Sequence, residues 1–178
     1  NAVTRIFEVI GKLGLDQGSL RGVSREEENL GKQSVILSAL KMGAISGLLS
    51  MLVQIALARW LSENIFHESS LLTKVIAIHA LSLPFYIIIH ISAFSTQAYK
   101  LLKYKIAVTE IQNPLILLLA MLVCYFFYSA ESAIIIPVVL SAVLGCITIT
   151  IFLKKVSGVN ILSVKKGEFN QDLLHYSL

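Results

Sequence analysis

Four stretches of this chain are long enough to cross a bilayer and carry lysine, arginine, aspartate or glutamate only at or near their ends. A helix needs about 20 apolar residues for that crossing. Met42 to Ala58 is free of charge, and the run extends over 34–61 if Lys41 and Arg59 reach toward the two headgroup layers. Val75 to Tyr99, Ile111 to Ala130 and Ser132 to Leu153 need no such help. Backbone groups left without a partner cannot face lipid, so segments of this length must be helices. The expected spans are 34–61, 75–99, 106–130 and 132–153, and their short connections predict antiparallel neighbours. The fold class is therefore an all-α integral membrane protein, an antiparallel transmembrane bundle of four full spans plus a partial amino-terminal one.

Composition agrees with that reading and excludes others. Of 178 residues, 56% are hydrophobic and 15% charged, whereas a soluble domain is nearer a quarter charged. The net charge of +4 falls in short groups between apolar runs rather than along one surface, so the bilayer, not nucleic acid, is the expected partner. Cys124 and Cys146 lie within apolar runs as small hydrophobes, with neither disulfide nor ligand spacing. No nucleophile elbow, phosphate loop or cofactor fingerprint is present. His79 and His90 stand eleven residues apart, too far to ligate one ion from a regular helix. The acidic run Arg25–Asn29 reads as a solvated face. No catalytic residue, metal site or cofactor is expected, and the chain is not expected to be an enzyme.

Basic residues set the orientation. Twelve lysines and arginines fall on one side, in Lys12–Lys41, Lys100–Lys105 and the tail after Leu153, and two, Arg59 and Lys74, on the other. The first side is placed in the cytoplasm.

Asn1 to Leu15, "NAVTRIFEVIGKLGL", has Val3, Ile6, Phe7, Ile10 and Leu13 on one helical face and Arg5, Glu8 and Lys12 on the other. Glu8 is spaced to meet both Arg5 and Lys12 on the helix surface. Two readings stand. In one, 1–15 ends a truncated transmembrane helix, Arg5 lies about 15 Å back from Leu15 along the axis, and its guanidinium can recognise phosphate with Glu8 beside it. In the other it is a surface-lying amphipathic helix with solvated charges. Residues 16–33 read as a cytoplasmic connector, and 154–178 as a cytoplasmic or interfacial connector entering a further helix. A chain that opens on Asn1 and stops at "DLLHYSL" reads as a fragment.

In the second span, His79, Ser82, Tyr86, His90 and Gln97 share one helical stripe. Such a polar seam either lines a cavity or hydrogen-bonds neighbouring helices. Pro84 lies in the same span, where it removes a backbone hydrogen bond and bends the helix. Ala39, Gly43 and Gly47 form a small-residue ridge for close helix approach. Ser141, Gly145 and Thr148 give the last span a mildly polar face.

Three phrases carry a family resemblance: "KLGLDQGSLRGVSREEENLGKQ", "LLTKVIAIHALSLPFYIIIHISAFSTQAYKLLKYKIAV" and "IQNPLILLLAMLV". With a Gly-Leu-Asp turn, a Leu-Pro in mid-helix, a Gln-containing stretch before a basic turn, and a helix opening with Gln and Pro, the chain resembles the polysaccharide transporter (Wzx-like) flippases. These belong to the multidrug/oligosaccharidyl-lipid/polysaccharide exporter superfamily. The resemblance implies the second to sixth helices of a two-lobe transporter of the cytoplasmic membrane. Its substrate would be an undecaprenyl-pyrophosphate-type lipid-linked oligosaccharide, moved by alternating access for surface polysaccharide synthesis. Its partners would be that lipid, the bilayer, the second lobe and a coupling ion, proton or sodium. Arg5 would attract pyrophosphate, and Glu8, His79, Tyr86, His90 and Gln97 would line the path. The rivals are a multidrug exporter or peptidoglycan-precursor flippase of the same superfamily, and a scaffold without transport. Because Glu63, Glu110 and Glu131 are expected at span ends or loops, an anionic substrate is favoured over a cationic drug.

Overall fold

A computed structural model describes residues 2–67, 70–127 and 130–158, with the side chains of 70 and 130–133 left aside. The described chain is helical throughout. Its elements are α1 (Ala2–Lys12), α2 (Leu15–Arg25), α3 (Asn29–Trp60), α4 (Ser70–Ala80), α5 (Leu83–Ala98), α6 (Leu102–Ile106), α7 (Asn113–Phe127) and α8 (Ala130–Ser157). A wide π-helical turn, Leu61–Ile65, extends α3, and a second, Ala107–Gln112, joins α6 to α7. Four helical stretches, Asn29–Ile65, Leu71–Ala98, Leu102–Phe127 and Ile134–Ser157, are long and apolar enough to cross a membrane. The chain is a multi-pass membrane protein. The connector expected over 159–178 lies outside the described residues.

The helices outrun the apolar stretches because nothing at their ends breaks the hydrogen-bond ladder. Lys32 and Arg59 stay helical with their charges at the rim. Breaks occur where the chain supplies a reason. Leu13 and Gly14 take positive φ (47° and 70°) between α1 and α2, and Gly158 (φ 68°) ends α8, its amide donating to the Lys154 carbonyl at 2.9 Å. The second span is interrupted at Leu81–Ser82, just before Pro84 at the start of α5. Proline offers no N–H to the carbonyl four residues back. There the Ser82 amide and hydroxyl both donate to the His79 carbonyl, at 3.1 and 2.6 Å.

α5 is the centre of the bundle, touching α2, α3 and α8. Ile87 and Ile91 are fully buried with Ile36, Ala39 and Leu40 of α3, Leu15 and Val23 of α2, and Leu153 of α8. The small-residue ridge brings α3 onto it. A Cβ at Gly47 would stand 2.9 Å from the Pro84 Cα, and one at Gly43 would overlap the Ile91 Cδ1. On the opposite side, Ile89 and Ala93 pack with Val108 and Ile149. The segment 16–33 is less free than a connector: α2 seats Leu15, Gly18, Ser19, Gly22 and Val23 against the bundle.

Candidate functional site

α1 turns part of its polar side inward. Thr4 and Gly11 are buried, and the Glu8 and Lys12 side chains are only 13% and 16% exposed, while Arg5 is exposed. Of the apolar face, Val3 and Phe7 pack against Ala58 and Ile76, and Ile6, Ile10 and Leu13 face outward. Two contacts fix this rotation. Gln54 of α3, fully buried, donates through Nε2 to the Thr4 hydroxyl and to the Ile76 carbonyl, both at 3.0 Å. Two turns along α1, Gly11 leaves room for Ser50 and Ile87, since a Cβ there would come within 2.5 Å of the Ser50 Oγ. In water this helix would be inside out. In lipid, where apolar residues are at no disadvantage outside, polar ones collect toward the bundle interior.

The inward face of α1 borders a cavity of about 630 Å³. α1 contributes Thr4, Arg5, Glu8, Val9 and Lys12; α4 contributes His79; α5 contributes Tyr86, Ile89 and His90. Thr109 and Glu110 enter from the second wide turn, Asn113, Pro114 and Leu117 from α7, and Val138 and Ser141 from α8. The volume is that of a site for a small molecule or headgroup. The wall carries the carboxyl groups of Glu8 and Glu110, the basic side chains of Arg5 and Lys12, and two histidines.

Within it, Glu8 is the hub of one charged network. Its Oε1 lies 3.0 Å from His90 Nε2 and 3.2 Å from Lys12 Nζ, and Lys12 reaches Asp16 of α2 at 3.9 Å. The Glu8–His90 contact ties α1 to α5. Of the two partners that spacing offers Glu8, Lys12 is taken and Arg5 is not. Arg5 makes no ion pair or hydrogen bond among the described residues and lies exposed on the cavity wall. His79 is buried, with Nε2 3.1 Å from the Ile134 carbonyl. A carbonyl only accepts, so that nitrogen carries the proton and ties α4 to α8. The seam therefore does both things that a polar stripe in a membrane helix can do: it lines a cavity and bonds helices together.

Five of the six residues expected at the site meet here: Arg5, Glu8, His79, Tyr86 and His90. Gln97 does not. It lies at the end of α5, where its Oε1 accepts from Lys105 Nζ at 3.0 Å, and the same ammonium sits 3.8 Å above the Phe94 ring. Ser82 shares the stripe but is fully buried against its own backbone.

Glu110, expected at a span end or loop, lies exposed in the amino-terminal part of the helix Leu102–Phe127, and it is on the cavity wall. Its one hydrogen bond among the described residues comes from the Thr109 hydroxyl, 3.1 Å from Oε1 and 2.9 Å from the Lys105 carbonyl. Two acidic groups thus face the cavity, so the lack of a buried acid no longer separates anionic from cationic substrates. The missed residues had a signal. Thr109, Asn113 and Leu117 recur at steps of four, as do Glu110 and Pro114, which places both series along one side of a helix.

Compared with protein-family models, curated proteins and solved structures, the chain matches none of them.

Proposed function

We propose that this chain is the amino-terminal lobe of a transporter that flips a lipid-linked oligosaccharide, of the undecaprenyl-pyrophosphate type, across the cytoplasmic membrane by alternating access. The observation that carries this reading is the charged cavity bordered by the short helix α1 and by helices of bilayer-crossing length, with Arg5 on its wall and without an ion pair or hydrogen bond among the described residues. A cation on the wall of a cavity within a membrane protein calls for a counter-ion or water. A cavity that keeps one uncommitted fits a protein whose ligand supplies the anion, and a guanidinium suits a pyrophosphate through paired hydrogen bonds. The outward apolar side of α1 suits a substrate that keeps its lipid tail in the bilayer while its headgroup enters the cavity.

An antiparallel bundle is supported by pairings that run in opposite senses. Thr4 meets Gln54 while Gly11 meets Ser50. Gly43 faces Ile91 while Gly47 faces Pro84. Gln112 donates to Thr148 at 2.8 Å while Asn113 faces Gly145. With the basic ends cytoplasmic, Lys12, Thr109 and Glu110 lie toward the inner side of the cavity and Val138 toward the outer. Glu110 favours a second reading, a cationic-drug exporter of the same architecture, because an acidic side chain facing the cavity can meet a cation.

Charge reversal at Arg5 separates the two. Arg5→Glu is expected to abolish surface polysaccharide export while the protein still inserts in the membrane; unchanged polysaccharide in that variant would overturn the flippase reading.

A further inference from the structure

The charges around the cavity are not equally engaged. Glu8 is held by His90 and Lys12, and Lys12 is shared between Glu8 and Asp16. Two groups remain uncommitted, one of each sign. Arg5 on α1 has no ion pair or hydrogen bond among the described residues, and Glu110 on the wide turn has a neutral hydroxyl and no cation. They enter from different elements of the same cavity wall. Both residues are exposed on the cavity wall, and they form no ion pair with each other among the described residues.

We propose that the substrate headgroup carries both charges: an acidic phosphate or pyrophosphate that meets Arg5, and a protonated primary amine that meets Glu110. This rests on the transport reading above and narrows it to amine-bearing sugar phosphates. The chemistry assigns each group its partner. The planar guanidinium offers a fork of donors to phosphate oxygens. A carboxylate is an acceptor that matches an ammonium, and Thr109, donating to Glu110 Oε1, steers that carboxylate without neutralising it. A cavity of about 630 Å³ has room for a sugar and its pyrophosphate. A purely anionic headgroup would satisfy Arg5 and leave Glu110 repelling it. A purely cationic drug would do the reverse.

The test uses the full-length protein in lipid nanodiscs and two synthetic probes. One is a short-chain prenyl pyrophosphate bearing 6-amino-6-deoxyglucose, whose amine is charged at neutral pH; the other is the same compound N-acetylated. The amine probe is expected to bind at least about tenfold more tightly, the scale of one hydrogen bond to a charged group. Glu110→Gln is expected to bring the ratio of the two affinities close to one, and Arg5→Gln to weaken both probes in the same proportion. Equal binding of the two probes by the unaltered protein, or a preference that survives Glu110→Gln, overturns the inference and leaves the flippase reading standing. Failure of both probes to bind, or binding indifferent to Arg5→Gln, overturns both.

Discussion

The helices Leu71–Ala98 and Leu102–Phe127 are equally apolar, yet half of the first one's most apolar window is buried against 6% of the second's. What separates them is their polar residues. The first carries His79, Ser82, Tyr86, His90, Ser92, Ser95 and Thr96, and the second has no residue more polar than Cys124 and Tyr125 beyond Pro114. Along that stretch Leu115, Leu118, Leu119, Leu122, Phe126 and Phe127 point outward. Where the surrounding solvent is lipid, apolar surface is indifferent to burial, and the groups that need partners decide which helix becomes central.

The largest effect that can break this comparison is truncation at matched apolar positions. Ile87→Ala, at a site with no exposure, is expected to lower stability by about 2–5 kcal/mol. Leu118→Ala, on the outward face, is expected to stay within about 0.5 kcal/mol. Thermal unfolding in micelles reads both, and equal losses would mean that the two helices are packed alike. Next is the approach of α3 to α5. Gly47→Ala would set a Cβ against the Pro84 backbone, which has no flexible end to move aside, and about 1–3 kcal/mol of overpacking is expected in the same assay. Gln54→Leu removes the bonds to Thr4 and Ile76, at an expected loss near 1 kcal/mol. Its sharper readout is α1 rotation, seen as a change in the accessibility of a cysteine placed at Arg5. The smallest effect belongs to Arg59→Gln. The Arg59–Glu63 pair spans 2.8 Å but its side chains are 81% and 55% exposed, so no measurable shift in melting temperature is expected.

Much of this was legible from residues. Long charge-free runs announce helices of bilayer length, and the stripe through His79, Tyr86 and His90 announces a polar face, because both follow from the helix period and the bilayer thickness. Three things were not. α1 looks amphipathic in the ordinary sense, and only the lipid environment and the Gln54–Thr4 contact decide that Thr4, Glu8 and Lys12 turn inward. Gln97 continues the stripe by period, but the chain reverses at Lys100 (φ 61°) and Lys105 comes across to take its oxygen. Glu110 is read as a boundary charge, and charge-free runs carry no sign that a wide turn brings it onto the cavity wall.

The central claim, that a polar cavity lined by α1 and α5 forms a path within the membrane, is tested most directly by cysteine accessibility. Cys124 and Cys146 are first replaced by serine, and single cysteines are introduced at Tyr86, His90, Ser82 and Leu118. In intact membranes exposed to a water-soluble thiol reagent, Tyr86→Cys and His90→Cys are expected to label. Ser82→Cys, in the packed break before α5, and Leu118→Cys, on the outward face, are expected to stay protected. Protection of Tyr86→Cys and His90→Cys to the same degree as Leu118→Cys would contradict the account and leave a sealed bundle.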